Sequence, residues 1–206
     1  MRTWTADTPA NTGQGKLAGK KIGVLVENAY AEHEIFYYTF RFAEEGAEVH
    51  LLTRLWGQER LTFEGNEWKL RLDVSESFEG MDEQTLRSYA AIIVPGGMVA
   101  EKLLWTEDLA KLPPATEFLQ RVFAEKSILK GVNCHGMWLV APAPELIRDR
   151  RAVVHTNILS HVRNTGMIYV DEDVVVHDDL VTGRSADHCH LFARTIIDLL
   201  SKPAEE

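Results

Sequence analysis

Continuous runs of apolar residues, each flanked by polar residues, recur along the chain. They occur in KKIGVLVEN, AEVHLLTR, YAAIIVPGG and SILKGVNCHG. Strands buried on both faces of a parallel sheet have this pattern, because helices cover both sides of such a sheet. The runs therefore predict a central sheet of mostly parallel strands.

Segments with helical periodicity separate these runs. Ile35, Tyr38 and Phe42 fall on one face of a helix predicted over 32–45. Gly46 then stands where a left-handed residue ends a helix. A second helix is predicted over 112–126, with a start delayed by two prolines, and a short one from Met137 that later prolines cut off. HLFARTIIDLLSK predicts a terminal helix.

Other segments interrupt this alternation of strands and helices. LTFEGNEWKLRLDVSESF alternates apolar and polar residues around a Glu-Gly-Asn turn, which predicts a local hairpin insertion. RAVVHT predicts another strand, and IYVDEDVVVHDDLVTGR a hairpin-like pair. Together the segments predict an α/β fold: a flavodoxin-like, doubly wound, mostly parallel sheet sandwiched by helices, with a small added β-hairpin.

A single domain is expected over 20–202, because 206 residues with 45% hydrophobic composition suffice to bury one substantial core. Residues 1–19 are rich in Thr, Gly, Ala and Asn and have no apolar period, so they are expected to form a flexible or loosely docked tail. Residues 203–206 are expected to form a short C-terminal tail.

The formal net charge of −9 argues against nucleic acid or an anionic membrane surface as the main partner, because both carry negative charge. No segment approaches the roughly 20 apolar residues of a membrane span, and the first residues contain no apolar stretch of signal-peptide length. With only two cysteines, Cys134 and Cys189, no disulfide framework is expected, and Cys189 is most simply a structural thiol. The protein is expected to be cytoplasmic.

Three features follow predicted strands, at the sheet edge where open α/β proteins bind ligands: Glu34, Gly96 with Gly97, and Cys134. In ILKGVNCHG, Cys134 ends an apolar strand and the chain turns directly into the next segment, which is the shape of a nucleophile elbow. A cysteine at a helix start is expected to have a lowered pKa and a reactive thiolate. The alternative is a small buried hydrophobic residue without a chemical role.

Gly136 is expected to supply the sharp turn that lets His135 face the preceding cysteine. Taken together, NCHGMWLV, AAIIVPGGMVAEKL and YVDEDVVVHDDLVTGR resemble the ThiJ/PfpI family, a branch of the class I glutamine amidotransferase-like superfamily. They are most similar to its PfpI-type intracellular protease branch. The similarity runs from about Lys20 to Leu200.

The resemblance implies roles for residues of this chain. It makes Cys134 the nucleophile and His135 its partner, and it gives Glu34 a hydrogen bond to the thiol. It also implies that Glu101 reaches the histidine across a subunit interface, and hence a homodimer or a higher homo-oligomer. From the residues alone, Glu34 has the alternative of a solvated glutamate at a helix start, and Glu101 that of an ordinary surface residue.

The resemblance further implies that the backbone N–H groups of Gly97 and of His135 hold an oxyanion, with Gly96 beside them. Asn133 stands directly before the cysteine, where relatives commonly have an aliphatic residue. We therefore expect a polar group beneath the elbow.

Four more residues are expected at the pocket. Met137 replaces a proline that is frequent in relatives, and Arg184 and His188 follow the last predicted strand. His155 either faces the same pocket or lies on the surface at a strand end. Together with His190, the histidines leave a metal site as an alternative, but neither a metal nor another cofactor is expected.

The expected chemistry is attack of the thiolate on a carbonyl or acyl carbon, by a cysteine-dependent hydrolase or lyase of protease, deglycase or glyoxalase type. The substrate is expected to be a small carbonyl compound, a glycated molecule or a peptide, and the setting a stress response. The alternative is a non-enzymatic oxidative-stress sensor or chaperone in which the same cysteine is oxidised. An isocyanide hydratase-like enzyme is a third alternative.

Overall fold

A computed structural model describes residues 3–5, for their backbone only, and residues 14–202. The strands are β1 (Thr3–Thr5), β2 (Lys21–Leu25), β3 (Glu48–Thr53), β4 (Leu61–Glu64), β5 (Arg71–Val74), β6 (Glu76–Ser77), β7 (Tyr89–Val94), β8 (Leu129–Asn133), β9 (Arg151–Ala152), β10 (Ile168–Tyr169), β11 (Val174–His177) and β12 (Leu180–Gly183). The helices are α1 (Glu32–Glu44), α2 (Glu83–Arg87), α3 (Val99–Leu103), α4 (Pro114–Ala124), α5 (Met137–Val140), α6 (Leu159–Val162) and α7 (Cys189–Leu200).

Seven strands form the central sheet, in the order β11-β12-β8-β7-β2-β3-β6. Every neighbouring pair is parallel except β11 and β12, which pair antiparallel. The chain runs outward from β2 to β3 and β6, then returns to β7 on the other side of β2. The predicted doubly wound, mostly parallel α/β fold is confirmed, and its topological switch point lies between β2 and β7.

The core lies between this sheet and two groups of helices. Helix α1 packs against α7, and α5 packs against both α3 and α4. The predicted helical face of Ile35, Tyr38 and Phe42 is fully buried, and Gly46 ends α1 with a φ of +85°. No helix within residues 14–202 is long and apolar enough to cross a membrane.

The predicted hairpin insertion forms as β4 and β5, which pair antiparallel. Part of the predicted N-terminal tail joins it, because β1 pairs with β5 in a separate three-stranded sheet. Leu17 is also fully buried, and its N–H donates to the Glu45 carbonyl. These parts of 1–19 are therefore docked on the domain. Residues 1–2, 6–13 and the predicted C-terminal tail 203–206 lie outside the described residues.

The strand predicted from RAVVHT is shorter than expected. Only Arg151–Ala152 is a strand, and it pairs with β10 apart from the central sheet. The backbone N–H of Val153 donates instead to the hydroxyl of Thr182 at 2.9 Å, so the segment leaves the strand geometry there. The chain that follows brings His155 to the sheet edge where the predicted site residues lie.

Candidate active site

The turn after β8 is made by the cysteine itself. Cys134 has a φ of +56°, a left-handed conformation that is rare for a residue with a side chain, and it opens a short 3₁₀ turn that leads into α5. The prediction that Gly136 makes the turn is wrong, because its φ is an ordinary helical −54°. Gly136 is needed for close approach: a Cβ there would lie 2.6 Å from the Val94 carbonyl oxygen and 3.0 Å from that of Pro95.

This geometry brings the ring of His135 to the thiol, with 3.0 Å between Nδ1 and Cys134 Sγ. The half-buried ring stacks on His155 with 4.8 Å between centroids, and it forms a T-shaped pair with Trp138 with 5.2 Å between centroids. Burial and then the charge of His155 lower the pKa of His135, while a hydrogen bond with Asn157 acts in the opposite direction. A histidine with a lowered pKa is neutral at pH 7, the form that accepts a proton.

Backbone N–H groups face the sulfur from three segments. They belong to Gly97, His135 and Ala186, and each favours the thiolate over the thiol. Gly97 has a φ of +70°, and a Cβ there would lie 2.7 Å from the Ala31 nitrogen, so only glycine fits. Gly96 differs from its neighbour, since its N–H already donates to Glu34 Oε2 at 3.0 Å. Of the two glycines, Gly97 is the one whose N–H faces the thiol.

Glu34, in the first turn of α1, is completely buried beneath the elbow. Its Oε2 accepts hydrogen bonds from the Gly96 N–H at 3.0 Å, the Tyr38 hydroxyl at 3.1 Å and Asn133 Nδ2 at 2.9 Å. Its other oxygen, Oε1, has no hydrogen-bond partner in the described part of the chain, so the expected hydrogen bond between Glu34 and the thiol is not formed. Burial raises the pKa of Glu34 and outweighs these hydrogen bonds, which lower it. The alternative of a solvated glutamate is wrong.

The Cys134 side chain is also buried, with 6% of its surface exposed. Burial, and then the charge of Glu34, raise the pKa of the thiol to about 12, although the three backbone N–H groups act in the opposite direction. The predicted lowering of the thiol pKa is therefore wrong. The sulfur is protonated at neutral pH, so a reaction at Cys134 needs a base, and His135 Nδ1 is at hydrogen-bond distance.

Glu101 lies on α3 and is exposed. No hydrogen bond or ion pair between described residues joins it to His135 of the same chain. Its predicted action across a subunit interface stays a prediction.

The remaining predicted pocket residues are dispersed. Met137 is fully buried in the hydrophobic core, so its side chain does not form an open pocket wall as expected. Arg184 pairs with Asp171 at 2.7 Å and with Asp173 at 3.3 Å. His188 Nε2 also lies 3.3 Å from Asp173. Arg184 and His188 thus bind one acidic turn, while His155 contacts His135.

The described residues contain no group of three or more His, Cys, Asp or Glu side chains placed to hold a metal ion. His190 is exposed, and Cys189 is half-buried at the start of α7. Burial, and then the charge of Glu34, raise the pKa of Cys189 to about 11, so its thiol is protonated at neutral pH.

Two contributors to the site were not predicted as such. Tyr38 was assigned only to the apolar face of α1, yet its hydroxyl binds Glu34. The second is the backbone N–H of Ala186, in the segment after β12. It reaches the sulfur only through the tertiary fold, and no sequence pattern marks it. Asn133 did carry a signal, since it is polar at the end of an apolar strand, and it is fully buried as expected.

In this doubly wound sheet, β8 is followed directly by a cysteine in the left-handed conformation, with a histidine nitrogen at hydrogen-bond distance from its sulfur. These features define an α/β protein with a cysteine elbow. The model of the DJ-1/PfpI family matches residues 20–199. The chain therefore belongs to the DJ-1/PfpI family, and the resemblance noted in its sequence is confirmed.

Relatives of similar length support this assignment. General stress protein 18 of Bacillus subtilis is 28% identical over 185 residues, which cover 89% of this chain and 99% of that protein. Protein/nucleic acid deglycase 2 of Escherichia coli is 28% identical over 182 residues, which cover 88% of this chain and 98% of that protein.

Among solved structures, a two-domain protein from Anabaena variabilis has DJ-1/ThiJ/PfpI-like and ferritin-like domains. It matches with a TM-score of 0.77 and 22% identity. The match covers 91% of this chain but only 52% of that one, so the chain spans about half the length of the two-domain protein. At this identity the likeness concerns the fold alone.

Proposed function

We propose that the protein is an enzyme that uses Cys134 as a nucleophile on carbonyl carbon. The observation that carries the proposal is the 3.0 Å separation between Cys134 Sγ and Nδ1 of His135. A buried thiol with a raised pKa gains nucleophilicity when a neutral imidazole accepts its proton during attack. The lowered pKa of His135 suits that role.

In the first step, the sulfur attacks the carbonyl carbon and forms a C–S bond. The thiol proton moves to Nδ1 of His135, and the electron pair of the C=O π bond moves to the oxygen. This oxygen accepts a hydrogen bond from the N–H of Gly97, with that of His135 as a second donor. The proton on His135 is then available to the oxygen or to a leaving group.

A small 2-oxoaldehyde or a glycated amine is the substrate class we favour. The sulfur is almost fully buried, so a compact carbonyl group reaches it more readily than a folded protein does. The name of the Escherichia coli relative, a deglycase, and that of the Bacillus subtilis relative, a stress protein, support a stress-related deglycase or glyoxalase activity. Peptide hydrolysis is the less favoured activity of the same nucleophile.

We further propose that the enzyme works in the cytoplasm as a homodimer or higher homo-oligomer, with Glu101 directed at His135 of a second copy. The exposure of Glu101 on α3 leaves its carboxylate free for such a contact. Light scattering tests the assembly, because a strict monomer rules out the contribution of Glu101 from a second copy.

Turnover measurements test the function. Wild type, Cys134→Ala and Glu101→Ala are incubated with methylglyoxal, with a glycated peptide and with peptide amides, and lactate, free amine or cleavage products are quantified. We expect wild type to convert methylglyoxal or the glycated peptide, and Cys134→Ala to convert neither. An inactive wild type on every substrate would sink the proposal.

One observation favours a second candidate, an oxidative-stress sensor. Glu34 Oε1 is buried without a hydrogen-bond partner in the described part of the chain, and a carboxyl group there is suited to bind an oxygen added to sulfur. Peroxide treatment followed by mass spectrometry separates the candidates. A sensor gains oxygen at Cys134 at low peroxide and turns over no substrate.

A further inference from the structure

An asparagine side chain contacts both of the stacked imidazole rings beside the thiol. Asn157 lies in the 3₁₀ turn Thr156–Ile158, which begins directly after His155. Its Oδ1 lies 2.7 Å from Nδ1 of His155, and its side chain also forms a hydrogen bond with the ring of His135. Because the two rings stack with 4.8 Å between centroids, one amide group reaches both of them.

The contact with His155 determines which end of the Asn157 amide faces the rings. At 2.7 Å an amide oxygen and a ring nitrogen repel each other unless the nitrogen carries a proton, so Nδ1 of His155 donates to Oδ1. The backbone N–H of Asn157 lies 3.4 Å from the same nitrogen, which makes it the weaker contact. An amide oxygen has two lone pairs, so Oδ1 can accept from His135 as well.

The ring of His135 has one nitrogen left for this bond. Nδ1 lies 3.0 Å from Cys134 Sγ, so Nε2 is the nitrogen available to Asn157. In a neutral imidazole one nitrogen donates and the other accepts, and the hydrogen bond made by one fixes the role of the other. An acceptor at Nε2 therefore places the ring proton there and leaves Nδ1 unprotonated.

We propose that Asn157 is a positioning residue: its amide oxygen accepts a hydrogen bond from Nε2–H of His135 and thereby keeps Nδ1 free to take the proton of Cys134. The inference rests on the proposed function, since it concerns the base of that reaction. Cysteine, histidine and asparagine side chains also act together in papain-like proteases, where the fold is unrelated.

The surroundings of His135 allow the effect of Asn157 to be separated from other effects. The titratable groups near the ring are Cys134 and His155, with His161 stacked on the far side of Trp138. Burial and the charge of His155 change the pKa of His135 more than the bond with Asn157 does. Asn157 is itself exposed, so its replacement should leave the fold intact.

NMR of protein labelled with ¹⁵N in its histidine rings measures the tautomer and the pKa of His135 without any turnover, with His135→Gln to assign the signals. On the alkaline side of that pKa, we expect wild type to carry the ring proton on Nε2. Asn157→Ala should give a mixture of both tautomers. It should also lower the pKa of His135 by about half a unit, the effect of one lost hydrogen bond.

Two further variants test the same bond. Asn157→Asp keeps an acceptor oxygen and adds a negative charge, so the tautomer should stay that of wild type and the pKa of His135 should rise by about one unit or more. The matched control is Asn164→Ala, at an exposed asparagine in the turn Arg163–Thr165. This control should change neither the tautomer nor the pKa.

Two results would overturn the inference. One is a wild type with the ring proton on Nδ1, because Asn157 would then present its NH₂ group to Nε2. The other is an Asn157→Ala protein that keeps the wild-type tautomer. Melting temperatures verify folding, and if Asn157→Ala does not fold, a pKa no higher than that of wild type in Asn157→Asp contradicts the inference. A wild type without turnover sinks the proposed function and leaves the tautomer result standing.

Discussion

Nδ1 of His135 lies 3.0 Å from the sulfur of Cys134, although the two residues are adjacent in the chain. Neighbouring side chains usually point apart, and the left-handed φ of +56° at Cys134 is what brings this pair together. Cys134 therefore makes the sharp turn itself and also carries the thiol. Strain of this kind is expected where a fold holds a group for chemistry.

The positive φ of Cys134 predicts how substitutions at this position change the free energy of unfolding. Cys134→Gly should be more stable than Cys134→Ala by about 1 kcal/mol, because glycine adopts a positive φ without steric cost. For a domain of this size, the melting temperature should differ by about 2–4 °C. Calorimetry measures this difference.

Cys189 provides the matched control, since its φ is a helical −55°. There the order should reverse, with Cys189→Gly less stable than Cys189→Ala by about 0.5–1 kcal/mol. The same order at both positions would contradict the account of the elbow.

The stacking of His155 on His135 predicts a shift in the pH profile of the proposed reaction. In the proposed reaction His135 is the base in its neutral form, and burial and then the charge of His155 lower its pKa, so the acid limb should lie below that of an unperturbed histidine. His155→Phe keeps an aromatic ring against His135 but removes the charge. The pKa of His135 should rise, and the acid limb of kcat/KM should move to higher pH, with activity on the alkaline side unchanged. An unmoved acid limb would exclude this coupling.

Glu32 ties the loop between β4 and β5 to the start of α1. Its carboxylate accepts the N–H groups of Glu67 at 2.9 Å and Trp68 at 2.8 Å, and Gly65 packs against it without room for a Cβ. Burial opposes ionisation of Glu32, but a hydrogen bond with the Glu67 side chain, followed by those from the backbone N–H groups, outweighs it and lowers the pKa to about 2. The ionised carboxylate therefore stabilises the folded state.

The folded pKa of Glu32 lies below its ordinary 4.5, so this stabilisation is complete above pH 4.5 and is lost as the pH falls toward 2. Glu32→Gln should cost about 1–3 kcal/mol at pH 7, and the difference from wild type should shrink between pH 4.5 and 2. Urea unfolding across this range measures it. Glu59→Gln, at an exposed position, is the control and should change little. A pH-independent difference would rule out the ionised form as the cause.

The fold followed from hydrophobic patterning because the buried strands of a parallel sheet are apolar throughout. Lys21–Leu25 and Tyr89–Val94 formed where the apolar runs predicted them. The carboxyl ends of such strands share one edge, so Glu34, Gly97 and Cys134 converge there. RAVVHT carries the same apolar signal but forms only a short strand, since the hydroxyl of Thr182 binds the next N–H.

The pKa values of the site residues could not be predicted from the sequence pattern. A local pattern shows that Cys134 begins a helical turn, but its pKa depends on burial and on Glu34, a residue distant in the chain. The contact of His155 with His135 likewise arises from tertiary packing. The sequence pattern indicates a sharp turn at the elbow, but glycine is the residue that adopts a positive φ most readily, so the pattern favours Gly136 over Cys134 as the residue that makes it.

The central claim is that Cys134, and not the second thiol, attacks the substrate. The most direct measurement is kcat/KM for methylglyoxal in wild type, Cys134→Ser and Cys189→Ser, with melting temperatures to verify folding. The account predicts a loss on the order of 10³-fold or more for Cys134→Ser and near wild-type activity for Cys189→Ser. A Cys134→Ser enzyme within a few-fold of wild type would contradict it.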